Sequence, residues 1–108
     1  MENKQLRIPI EFNILGKTIK VEFKEEYCSG ANIYGQANHP ENTIYLTTRL
    51  QNRIVTPENV EHTYLHEVVH HILQAMGETE LNNSEKFVDL FSGILHQVLT
   101  TSKYDTLR

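Results

Sequence analysis

Hydrophobic and polar residues alternate with two different periods along this chain, and the change falls near residue 55. Before it the spacing is that of strands. Leu6, Ile8, Ile10 and Phe12 recur every second residue, Gly16-Lys17 offers a turn, and Ile19, Val21 and Phe23 resume the alternation. Two alternating runs about a glycine-containing turn predict a hairpin over residues 6–15 and 18–23. A third strand is expected around residues 33–36. The run Asn38-His39-Pro40-Glu41-Asn42 has the composition of a turn. Residues 43–48, with Ile44 and Leu46 on one face, are rich in strand formers.

After residue 55 the period lengthens. Thr56 can cap a helix, and Pro57 suits its first position, where no N–H is needed. Val60, Tyr64, Leu65, Val68, Val69, Ile72, Leu73 and Met76 follow helical spacing, and Gly77 provides a stop. At about 100° per residue these side chains cover an arc of roughly 180°. That is broad for a surface helix, so this helix is expected to be central and largely buried. A second helix is predicted from just after Ser84 to about residue 101, with Phe87, Val88, Leu90, Phe91, Ile94, Leu95, Val98 and Leu99 as its apolar stripe. Residues 102–108 read as a frayed tail. The whole predicts an α+β fold: a small antiparallel or mixed sheet from residues 1–54, packed on the first of two helices in 55–102, with the second helix closing the other side.

Bulk properties narrow the function classes. A chain of 108 residues without repeats or linkers suits one domain. A net charge of −4 disfavours nucleic acid as a partner, because phosphate binding needs a basic surface. Cys28 is the single cysteine, so no internal disulfide forms, which favours a reducing compartment. The segment Met1-Glu2-Asn3-Lys4-Gln5 lacks the apolar core of a signal peptide. No apolar run approaches the roughly 20 residues of a membrane span. A cytoplasmic protein without membrane association is expected. Ser29-Gly30 reads as a loop, so Cys28 is expected to be an ordinary packed or loop cysteine rather than a nucleophile.

The chemistry concentrates in His66-Glu67-Val68-Val69-His70, an HExxH pattern in the middle of the first helix. Residues four apart on a helix lie on one face about 6 Å apart, so two imidazoles can converge on one zinc ion. Glu67 is offset round the helix, where its carboxylate can take a proton from a water that zinc has acidified. A catalytic zinc site usually has three protein ligands. Glu78, Glu80, Glu85, Asp89 and His96 are the downstream candidates for the third. Glu85 is preferred, because an antiparallel second helix returns it beside His70. Asp89 lies one turn further on the same face, so one carboxylate can bind zinc while the other accepts the free N–H of a ligand histidine. His96 is eleven residues from Glu85, about 16 Å along a helix, too far to share the ion. His62, His66 and His70 span about 12 Å, which makes His62 a helix-surface or supporting residue. His71 points roughly 100° from His70 and is expected to be structural or exposed.

HExxH followed by ExxxD on a second helix is similar to the gluzincin branch of the zincin metallopeptidases. The short length and absence of export signals are closest to small phage or bacterial zincins of the ImmA/IrrE kind. The resemblance implies that His66, His70 and Glu85 bind zinc, that Glu67 is the general base, and that Asp89 orients His66. It also implies that the strand over 43–48 is the edge strand bordering the cleft, pairing with an extended peptide. A metzincin would instead need Gly at 73 and His at 76, where this chain has Leu73 and Met76. For the group that steadies the oxyanion, Tyr34, Tyr64, His39, His96 and Tyr104 all stay open. The expected function is zinc-dependent hydrolysis of a peptide or protein substrate by a metalloendopeptidase. The alternatives are a zinc-stabilised binding module that cleaves nothing, and a helical interaction domain without metal.

Overall fold

The computed structural model describes residues 5–106, so the leader reading at residues 1–4 and the end of the tail at 107–108 lie outside the described residues. The fold is α+β. In chain order it runs β1 (Glu11–Ile14), β2 (Lys17–Phe23), α1 (Glu25–Ala31), β3 (Gly35–Asn38), β4 (Thr43–Leu46), β5 (Arg49–Leu50), β6 (Arg53–Ile54), α2 (Pro57–Met76), α3 (Thr79–Asn82) and α4 (Glu85–Thr101). The main sheet has the order β1-β2-β4-β3 and is mixed: β2 and β4 are parallel, the other pairs antiparallel. No helix among the described residues is long and apolar enough to cross a membrane.

The hairpin forms where the alternation places it, with Phe12 opposite Ile19. Its turn is Leu15-Gly16 rather than Gly16-Lys17. Both residues have positive φ, at 48° and 81°, as a two-residue turn matching the strand twist requires. The first strand is shorter than expected, since residues 6–10 lie outside it, and this segment touches the sheet through the Val21 N–H, which donates to the Ile10 carbonyl. The third strand lies two residues later than expected, at Gly35–Asn38.

Two corrections concern what lies where. The first half of the chain is not only strands, because α1 occupies residues read as a loop and carries Cys28 fully buried within it. The expected edge strand is interior: β4 is flanked by β2 and β3, and the sheet's edges are β1 and β3, of which β3 lies next to β4. The composition explains this. Thr43, Ile44 and Leu46 are all buried, as befits a central strand, whereas Gly35-Gln36-Ala37-Asn38 offers little apolar surface to cover.

α2 lies across the sheet. Ile19, Val21, Ile44 and Leu46 from the strands meet Val60, Tyr64 and Leu65 from α2, with Val55 and a Phe12–Tyr64 edge-on ring contact at 6.4 Å. Thr56 caps α2 by accepting the Asn59 N–H, and Gly77 ends it at φ 73°. α4 packs on the other side of α2 through Val69, Leu73 and Val88. Ser84 caps α4 by accepting the Phe87 N–H. The apolar stripe expected on α4 is not one buried face: Val88 is buried and Leu95 half-buried, but Leu90, Phe91, Ile94 and Val98 are exposed. At the far end of α2, Ile72 and Met76 are also exposed.

Candidate metal centre

α2 and α4 run side by side, and their facing turns carry the residues singled out above. His66 and His70 stand one helical turn apart on α2, with ring centroids 5.0 Å apart. The Nε2 of each turns onto the same carboxylate: His66 Nε2 is 3.1 Å from Glu85 Oε2, and His70 Nε2 is 3.1 Å from Glu85 Oε1. Ligand atoms of these three side chains lie within 4.8 Å of one another, the one such trio of His, Cys, Asp or Glu among the described residues.

The other ring nitrogens decide whether this set suits a cation. His70 Nδ1 donates to Asn82 Oδ1 at 2.6 Å, and His66 Nδ1 lies 3.4 Å from Asp89 Oδ1. A proton held on Nδ1 leaves Nε2 with a lone pair. Two lone pairs then face a carboxylate, an arrangement that either a proton on each ring or one divalent cation would satisfy. Two imidazole nitrogens and one carboxylate are a zinc-type donor set, and acceptors behind both rings are the usual support of such ligands. The residues fit the metal.

Glu67 stands on the sheet side of α2, 7% exposed, and accepts a hydrogen bond from the Ala37 N–H of β3. Burial, reinforced by the Glu85 carboxylate, pushes its pKa up to about 8, against the opposing pull of the Ala37 N–H. β3 can come this close because residue 35 is glycine. A Cβ there would fall 2.6 Å from Thr63 Cγ2 and 2.8 Å from the Tyr45 carbonyl oxygen.

The edge strand and the two helices enclose a cleft with two compartments sharing Gly35, His66 and Glu67. One, of about 350 Å³, is walled by Ile33, Tyr34, Thr63 and Asp89. The other, of about 540 Å³, is walled by Ala37, His39, Asn82 and Glu85. Of the five oxyanion candidates, Tyr34 and His39 line the cleft and the others do not. Tyr64 is buried against Phe12, His96 donates to the buried Glu61 carboxylate at 2.8 Å, and Tyr104 lies beyond the end of α4. His39 Nδ1 is buried and has no hydrogen-bond partner among the described residues. Burial, with the neighbouring His70, holds the His39 pKa below its usual value.

The remaining candidates fall outside the trio. Glu78 and Glu80 are exposed at the start of α3. His62 leans on Asp89, its Nε2 3.7 Å from Oδ1. His71 is buried, and its Nε2 donates to the Thr43 carbonyl at 3.1 Å, tying α2 to β4. The Cys28 thiol is pushed up by burial, and further by Glu25 and Glu67, so it stays protonated and inert. Asn82 was no candidate on sequence, since an asparagine just before a helix reads as loop chemistry. The signal was its place in the connection joining His70 to Glu85. Its Nδ2 also donates to Gln74 Oε1 at 3.3 Å, which fastens the amide to α2. No family model, curated protein or solved structure matches the chain.

Proposed function

We propose that this chain is a zinc-dependent peptidase of the gluzincin type, with His66, His70 and Glu85 as zinc ligands and Glu67 as general base. The observation that carries the reading is the convergence of both Nε2 atoms on the Glu85 carboxylate, beside a buried carboxylate on the same helix. Zinc held there would supply Lewis acidity, polarising a carbonyl and acidifying water.

The chain's own groups do the rest. Burial pushes the Glu67 pKa up to about 8, which makes its carboxylate, once ionised, a strong enough base to take a proton from the attacking water. The same group then returns that proton to the leaving nitrogen. Asp89 and Asn82 orient the two imidazoles. The free edge of β3 lies along the cleft, where an extended peptide can pair with it, and Tyr34 or His39 can donate to the developing oxyanion.

Glu67→Gln tests the reading. It should retain one zinc per chain while hydrolysis of a peptide library falls by about 10²–10⁴-fold. Full activity in that variant would sink the mechanism. Zinc bound at one per chain with no hydrolysis by the native protein would instead favour the binding module.

A further inference from the structure

α4 turns apolar side chains to solvent on the side away from its buried residues. Val88, Ser92 and Thr100 face inward and are buried, whereas Leu90, Phe91, Ile94 and Val98 are 56%, 49%, 60% and 52% exposed. At about 100° per residue the two groups are centred roughly 160° apart, so the outer residues are not the rim of the buried face. An apolar helix stripe ordinarily faces a packing partner rather than solvent. From Leu90 to Ser102 the sequence contains no Asp, Glu, Lys or Arg. His96, the one titratable group there, points inward to Glu61.

The outer face also has a register. Phe91, Ile94, Val98 and Thr101 are spaced three, four and three residues apart, the repeat of a helix–helix seam, while Phe87, one turn earlier, is half-buried against Val69, Leu73 and Val88. Phe87 and Phe91 are stacked at 5.7 Å, which fixes the wide end of the seam.

We infer that this face is a self-association surface, on which two copies of the chain pair α4 against α4 about a two-fold axis near Ile94. Antiparallel pairing there sets Phe91 of one copy against Val98 of the other, large against small, and opposes the helix dipoles. A second copy fits better than a charged partner because the seam offers no charge to read. It fits better than a lipid surface because an interfacial helix is flanked by several basic residues, and this one has only Lys86 and Lys103. The four exposed side chains present on the order of 400 Å² per copy, the size of the largest apolar patch on an ordinary monomer, which is often functional. Pairing two such faces buries roughly 800 Å² before flanking residues are added, which points to a weak, reversible dimer.

Sedimentation equilibrium between about 10 and 500 µM covers the range of such an interface. The mass should rise from 12.6 kDa toward twice that value. Added salt should leave the association unchanged or strengthen it, by screening the −4 charge of each copy. Ile94→Glu should remain monomeric across the range with an unaltered helical spectrum, because Ile94 is exposed. Ile54→Glu, at a 74% exposed site on β6, should dimerise like the native chain. A native chain that stays at 12.6 kDa throughout would overturn the inference, whether or not it binds lipid vesicles. So would dimerisation that survives Ile94→Glu, or that Ile54→Glu abolishes equally.

Discussion

Asn82 stands to His70 as Asp89 stands to His66: each offers an oxygen to the ring nitrogen that turns away from Glu85. Removing the acceptor frees the ring to rotate and the tautomer to change. Asn82→Ala should therefore weaken zinc binding by about 10–100-fold. Asn82→Asp, which keeps an oxygen in place, should retain it. Competition with a chromophoric chelator reads both, and equal affinity in the Ala variant would mean that the 2.6 Å contact does not orient the ring. Gly35 acts by having no side chain. The Cβ of Gly35→Ala would overlap Thr63 and the Tyr45 carbonyl, so β3 must lift from α2 and draw the Ala37 N–H off Glu67. A loss of about 1–3 kcal/mol in urea denaturation is expected, and unchanged stability would show that β3 has room to adjust. The two kinds of residue differ in how far sequence reveals them. His66, Glu67 and His70 were legible because a helix converts fixed spacing into fixed geometry. Asn82 and Gly35 matter through contacts made only once α3 and β3 have folded against α2.

α1 shows the same limit one level up. Glu25-Glu26-Tyr27-Cys28-Ser29-Gly30-Ala31 has no apolar period and contains a glycine, so nothing local announces a helix. What holds it is tertiary. Cys28 is buried beneath it, and the Glu25 carboxylate accepts hydrogen bonds from the Thr48 N–H at 2.9 and 3.0 Å and from the Thr48 hydroxyl. Burial pushes the Glu25 pKa up, but these bonds outweigh it and hold the group below its ordinary 4.5. A carboxylate with a depressed folded-state pKa adds stability above its unfolded pKa, and that stability is lost as pH falls through the folded value. Glu25→Gln should accordingly cost about 1 kcal/mol at neutral pH, discounted for the exposure of the pair. It should cost little at a pH low enough to protonate the native carboxyl too, below its depressed folded-state pKa. Urea midpoints at the two pH values test this, and an equal loss at both would assign the effect to packing. α2 and α4 needed no such help: caps, period and stops fixed their bounds in the sequence. The sheet order was not legible, because β2, β3 and β4 pair across α1 and a turn. That is why the edge expected at residues 43–48 falls on a strand paired on both sides.

α2 stands between the sheet and α4 and packs against both. The sheet and α2 share one apolar cluster, while α4 is held to α2 by the smaller group of Val69, Leu73 and Val88. Phe87 joins that group and Leu95 reaches the main cluster, and the remaining side-chain pairs between the helices are polar: Glu61 with His96, His62 with Asp89, and the two motif histidines with Glu85. A cation bound by His66, His70 and Glu85 ties the start of α4 to the middle of α2, and a ligand that binds only the folded state stabilises it. At zinc one hundred times its dissociation constant the gain is about 2.7 kcal/mol. For a domain of this size that raises the melting temperature by roughly 10–20 °C. Strong chelators should thus lower the midpoint by that amount and added zinc should restore it. Glu85→Ala separates metal binding from folding. Its side chain is 71% exposed, so the metal-free variant should melt close to the metal-free native chain yet gain nothing from zinc. If chelation leaves the native midpoint unmoved, the histidine–carboxylate contacts join the two helices without a metal. The chain would then be a helical interaction domain without metal, and Glu67 would have no bound water to act upon.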